Sequence, residues 1–221
     1  MSYGYVSLVL VTLVIGCAST WYVNSRLKKY SRVPTATGLT GAEAARRMLR
    51  FHGVEGVAIR RGGEGEDFFD PRTNSVTLGP DSYDARTVTA IATACHEVGH
   101  ACQYATGYTP MKVRGAIVPV ANIASNAWVF ILIVGIFLNW AGLVNLAIVL
   151  YAAVVLFELV TLPVEFDASK RALTYMSTAG LPANEQAGSA SVLRACAFTY
   201  VAAALSSVLQ LLWLIGTHRD D

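Results

Sequence analysis

Hydrophobic positions along this chain fall into two patterns: long runs without charge, and shorter stretches in which apolar residues recur every three or four positions. Four runs approach the roughly 20 apolar residues that a helix needs to cross a bilayer, at residues 5–23, 117–138, 143–162 and 195–215. Only Asn139-Trp140-Ala141-Gly142 joins the second to the third, which predicts a transmembrane hairpin. Glu158 interrupts the third run near its end and is expected to snorkel, or to face another helix in protonated form, rather than to act in catalysis. The first run follows an uncharged MSYG and precedes the basic residues Arg26, Lys28, Lys29 and Arg32, the reverse of the order in a cleaved signal peptide. It predicts a retained span with its downstream side cytoplasmic.

The second pattern lies between the spans, in residues 33–115 and 163–194. Thr40 and Glu43 form a T-x-x-E capping box ahead of a helix that ends near His52 and Gly53, with Ala44, Ala45, Met48 and Leu49 inward and Arg46, Arg47 and Arg50 on a solvated or headgroup-facing side. Strand-like runs at 56–60 and 75–78, separated by RGGEGED and the Asp70-Pro71 turn signal, can pair as a hairpin. Residues 74–79 then read either as an exposed edge able to bind a substrate backbone or as part of a purely structural hairpin. Within 83–107, Val88, Ile91, Ala92, Cys95, Gly99 and Cys102 make an apolar stripe, while Thr89, Thr93, His96, His100 and Gln103 share another face. Residues 163–194 read as helix, broken at Gly180-Leu181-Pro182.

The helix at 83–107 carries the candidate chemistry. His96, Glu97 and His100 spell H-E-x-x-H; four residues apart on a helix, the two imidazoles stack on one face and can chelate one Zn²⁺, with Glu97 close enough to act on a water there. This pattern points to a metalloprotease, against the plainer reading of a buried helix with two satisfied histidines. His52 is expected to cap or face solvent rather than to bind metal. Cys95 and Cys102 flank the motif but project to the opposite side, so they are expected to pack as small free thiols together with Cys17 and Cys196.

Composition then narrows the class. With 54% hydrophobic and only 14% charged residues, the chain is a membrane protein, and its net charge of +2 comes from scattered bases with no phosphate-cradling loop, which excludes nucleic acid as a partner.

Taken together, the segments YSRVPTATGLTGAEAARRML, FFDPRTNSVTL, CHEVGHACQYATGY, LVTLPVEFDASKRAL and TYVAAALSSVLQLL resemble the YugP-like family of membrane neutral zinc metallopeptidases almost end to end. The resemblance implies a membrane-bound zinc endopeptidase with its site at the cytoplasmic face. It also suggests kinship with HtpX-like membrane proteases, whose third zinc ligand is the glutamate of an E-F-x-A-D pattern; this falls on Glu165, Phe166 and Ala168, with Ser169 in place of the aspartate. Asp167 is expected to point away. Elimination selects the same ligand: His52 precedes the core, His218 lies across the membrane, Glu158 sits within a span and Glu185 follows a helix break, whereas Glu165 emerges beside the motif helix.

The expected protein is a mainly α-helical integral membrane protein with four transmembrane helices and a small cytoplasmic α+β zincin-like part. His96, His100 and Glu165 would hold Zn²⁺ and Glu97 would be the general base in hydrolysis of a membrane or membrane-proximal polypeptide. A non-peptidase zinc hydrolase and a membrane scaffold that binds without cutting are the competing classes. Glu97 argues against the scaffold, since a structural zinc site has no use for a carboxylate beside its ligands. Tyr104, Tyr108, Arg171 and Tyr175 are equal candidates for the oxyanion, and oligomeric state stays open.

Charge asymmetry sets a testable topology. Of the 17 Lys and Arg, all but Arg219 fall on the side assigned to the cytoplasm. In a background lacking native thiols, cysteines at positions 62 and 184 should resist labelling by an impermeant reagent applied to intact cells. Labelling at 62 inverts the topology.

Overall fold

The computed structural model describes residues 3–219. Its long helices are α1 (Tyr3–Tyr30), α5 (Thr109–Phe137), α6 (Ala141–Thr178) and α7 (Ala183–Arg219), with α2 (Gly41–Phe51), α3 (Pro80–Tyr83), α4 (Val88–Ala105) and three strands between α1 and α5. The four long helices coincide with the four apolar runs, and each is long and apolar enough to cross a membrane. Their outer faces leave Val14, Trp21, Phe130 and Phe137 exposed, an apolar surface far larger than a protein in water tolerates.

Two of these helices outrun the bilayer. At 1.5 Å per residue the 38 residues of α6 extend about 57 Å, against a hydrocarbon core of about 30 Å. The polar stretch 163–194 lies on their overhanging ends: α6 continues through Pro163 to Thr178, and α7 returns from Ala183 after a turn, at the expected break, in which Gly180 takes φ +74°. These overhanging ends, with α2, α4 and the sheet, enclose a core that includes Met48, Val76, Ile91, Cys95, Val98 and Met176.

Local signals explain the shorter elements. Thr40 and Glu43 cap each other's backbone N–H, at 3.2 Å to the Thr40 hydroxyl and 2.8 Å to the Glu43 carboxylate, and α2 closes at His52 before Gly53 at φ +64°. α4 starts at Val88, the first residue of the apolar stripe, because Thr87 is its N-cap and accepts from the Ala90 N–H at 3.3 Å. The residues before it form the single turn of α3, which Pro80 opens.

The sheet departs from the expected hairpin. β1 (Ala58–Arg61) runs parallel to β3 (Ser75–Leu78), and a strand absent from the sequence reading, β2 (Phe68–Asp70), pairs antiparallel with β3 across the turn at Pro71. Residues 74–79 are thus not an edge. β3 is the central strand, with Val76 and Leu78 fully buried, so its backbone groups are spent inside the sheet and β1 and β2 are the edges. Glu158 lies against Ser207 of α7, in keeping with a side chain that faces another helix.

One close contact joins the motif helix to α6. A Cβ placed on Gly99 would stand 2.6 Å from the Ala168 carbonyl oxygen and 3.0 Å from that residue's Cα, so only glycine lets the two backbones meet here. Gly99→Ala should therefore destabilise the fold by about 1–3 kcal/mol through overpacking, read as a lower melting temperature in detergent. Gly16→Ala, in α1 with nothing within 4 Å, should leave the melting temperature unchanged. Equal stability of the two variants would show that this contact does not set the helix spacing.

Candidate metal centre

The α4–α6 contact brings together what the sequence separates by about 65 positions. Glu165 lies one residue short of a turn before Ala168, and His96 and His100 flank Gly99, so closing the two helices aims the carboxylate between the imidazoles. Glu165 Oε2 stands 3.2 Å from His96 Nε2 and 3.6 Å from His100 Nε2, and one donor atom from each residue lies within 4.8 Å of the others. Glu165 and His100 are buried and His96 is nearly so.

Hydrogen bonds behind the histidines determine what faces the centre. Gln103 is wholly buried; its amide N–H groups donate to the Val164 carbonyl at 2.7 Å and to Asp167 Oδ2 at 3.0 Å, which leaves its oxygen to accept from His100 Nδ1–H at 3.0 Å. That donation places the His100 proton on Nδ1 and a bare lone pair on Nε2. His96 Nδ1 lies 3.2 Å from the Ser169 hydroxyl, which can accept from it in the same way. With Ser169 as acceptor, two imidazole lone pairs and a carboxylate oxygen converge with no donor among them, an arrangement that a proton or a cation must relieve. The set has the atoms and separations that Zn²⁺ takes from two histidines and a glutamate.

Electrostatics agree with that demand for positive charge. Burial works to lower the His100 pKa, but its contact with Glu165 and the charges of Glu97 and Glu165 outweigh burial and raise it. For Glu97 burial dominates and raises the carboxyl pKa above its ordinary range, reinforced by Glu165 and Asp67 and opposed by the two histidines. A carboxyl shifted in this direction is better matched to exchanging a proton near neutral pH.

The sequence reading missed three features around this centre. Asp167 does not point away: it reaches His100 through Gln103, and Arg171 binds it at 2.6 Å. Gln103 sits on the polar face of α4 three residues after His100, and that i, i+3 spacing was the available signal. Tyr200 of α7 lies within electrostatic reach of Glu165, Glu97 and Arg114, a placement that depends on how α7 packs and that no local pattern announces. Among the four oxyanion candidates, Tyr175 is buried behind α4 beside Phe51 and Cys95, and Arg171 is committed to Asp167 and lies over the Tyr108 ring. Tyr104 stays exposed on the metal-facing side, against Phe69 of β2. His52 caps α2, and Cys95 and Cys102 are buried free thiols on the far face of α4.

The geometry ranks the carboxylates for metal binding. Glu165→Ala should weaken zinc affinity at least tenfold, in a titration of purified protein against a competing chelator, while Asp167→Ala, which removes a partner of Gln103 and of Arg171 but no donor atom of the cluster, should cost less. Outer partners of ligating histidines are typically worth 10–100-fold, so Gln103→Leu should fall between the two. An Asp167→Ala loss equal to that of Glu165→Ala would reject this assignment.

Comparison with known proteins reaches the same chemistry from outside. A family profile described as "Putative neutral zinc metallopeptidase" matches residues 5–219. The chain is 40% identical over 210 residues to the Bacillus subtilis (strain 168) protein named "Putative membrane protease YugP", covering 94% of this chain and 93% of that one. No solved structure matches. With a profile that spans nearly the whole chain and a relative of this identity, the chain belongs to the neutral zinc metallopeptidase family.

Proposed function

We propose that this protein is a membrane-bound zinc endopeptidase that cuts polypeptides at the cytoplasmic face of the cell membrane, with His96, His100 and Glu165 holding Zn²⁺ and Glu97 as general base. One observation carries the reading: three lone-pair donors converge beside a carboxylate, Glu97, that stands next to a ligand in sequence and is free of any ligand role in the cluster. Bound there, Zn²⁺ supplies Lewis acidity toward a water and the scissile carbonyl.

The chain's own groups account for the remaining work. Glu97 takes the proton of the attacking water as oxygen adds to the carbonyl carbon, and returns it to the leaving amine when the C–N bond breaks. The free edge of β2 is the natural place for a substrate backbone to add as a strand. Phe69 packs on Tyr104 and Asp67 influences Glu97, so β2 runs beside the catalytic face of α4. This moves the substrate edge from 74–79 to 68–70. The basic flank of the first span supports the cytoplasmic orientation, and residues 33–115 would form the small zincin-like part.

Glu97→Gln keeps the shape and removes the base. The purified variant should retain about one zinc per chain and lose 10²–10⁴-fold in turnover of fluorescently labelled casein. Wild-type turnover in that variant would reject Glu97 as the base, and wild-type turnover in metal-stripped protein would reject zinc.

A further inference from the structure

A groove of about 580 Å³ opens between α1, α6 and α7. Tyr22 of α1, Phe166 and Lys170 of α6, and Phe198 and Arg194 of α7 line it. On α6 and on α7, which runs the other way, the base stands four residues from the ring; Arg26 stands four residues beyond Tyr22 on α1, outside the lining itself. Four residues are about one helical turn, so each helix presents an aromatic ring with a base one turn farther from the hydrocarbon. Two of the rings share a level: Tyr22 and Phe198 meet edge to face with centroids 6.0 Å apart, and Arg26 lies over Tyr22 at 5.2 Å.

These bases lack anionic partners. Among the described residues neither Arg26, Lys170 nor Arg194 forms an ion pair with a carboxylate, and Arg26 Nε is buried without a hydrogen-bond partner. Arg194 spends only its Nε, on the Ala190 carbonyl of its own helix at 3.0 Å, and holds its terminal nitrogens free. Three unmatched cations above three aromatics, at the point where apolar runs end, match the polarity profile of one molecule: phosphate at the bases, glycerol esters at the rings, acyl chain along Ala197 and Val201 below.

We infer that this groove is a binding site for one anionic glycerophospholipid. Its floor includes Ser169, whose hydroxyl is 3.2 Å from His96 Nδ1, so a lipid seated there covers the outer side of the hydrogen bond that orients a residue of the metal centre.

The test uses the full-length protein, delipidated in detergent, with native mass spectrometry to count retained lipid during titration. Phosphatidylglycerol should bind at one molecule per chain and at least tenfold more tightly than phosphatidylcholine of the same acyl chains. Lys170→Gln with Arg194→Gln should erase that preference, while Arg46→Gln with Arg50→Gln, charge-matched on α2, should leave it intact; an unchanged melting temperature confirms folding in both. Equal binding of the two lipids, or equal loss in both double variants, overturns the proposal. So does displacement of the lipid by millimolar inorganic phosphate, which would make this an anion site, or by an acidic peptide, which would make it a protein-docking surface.

Discussion

Gly99 against the Ala168 backbone is the contact on which the centre depends. A metal site of two histidines and a glutamate needs its donor atoms within a few ångströms, and two helices carrying ordinary side chains pack with axes 8–10 Å apart. Removing the side chain at the crossing point lets α4 and α6 approach until Glu165 reaches both imidazoles. The same contact brings Val164 and Asp167 against Gln103, so ligand placement and ligand orientation follow from one point of backbone contact.

Orientation matters as much as proximity. An imidazole can present either nitrogen, and its protonated nitrogen cannot bind a metal. Gln103 removes that freedom for His100, because both of its N–H groups are taken by acceptors on α6 and only its oxygen is left to face the ring. Ser169 stands in the corresponding place for His96 with a weaker group than the carboxylate of the related pattern. The two histidines are therefore supported unequally, His100 through a buried chain that ends in the Asp167–Arg171 ion pair and His96 through one hydroxyl.

The membrane enters through helix length. Because α6 and α7 run on past the thickness of a bilayer without a break, the centre is built on the rigid continuations of spanning helices and stands at a set height above them. The edge strand β2 is attached to α4 through Phe69 and Tyr104. A polypeptide lying along β2 would thus pass between a sheet edge and the mouths of the membrane helices, an arrangement suited to chains that begin or end in lipid.

Patterns that depend on neighbours along one helix or one turn were legible in the residues alone. The four apolar runs, the Thr40–Glu43 box, the His96 and His100 spacing and the packing of Cys95 and Cys102 on the face of α4 away from the histidines all follow from helical geometry and the cost of burying charge. The place of Glu165 beside the two histidines was legible too, since few carboxylates emerge at the end of a span next to the motif helix. Strand order was not: β1 and β3 look alike as short apolar runs, and nothing local reveals that β2 joins them or that β3 lies in the middle, because pairing depends on residues 10 or more positions apart. The partners behind the histidines were hidden for the same reason. A glutamine and a serine reach the histidines only when α4 and α6 meet, and how closely they meet depends on the absence of one side chain at Gly99.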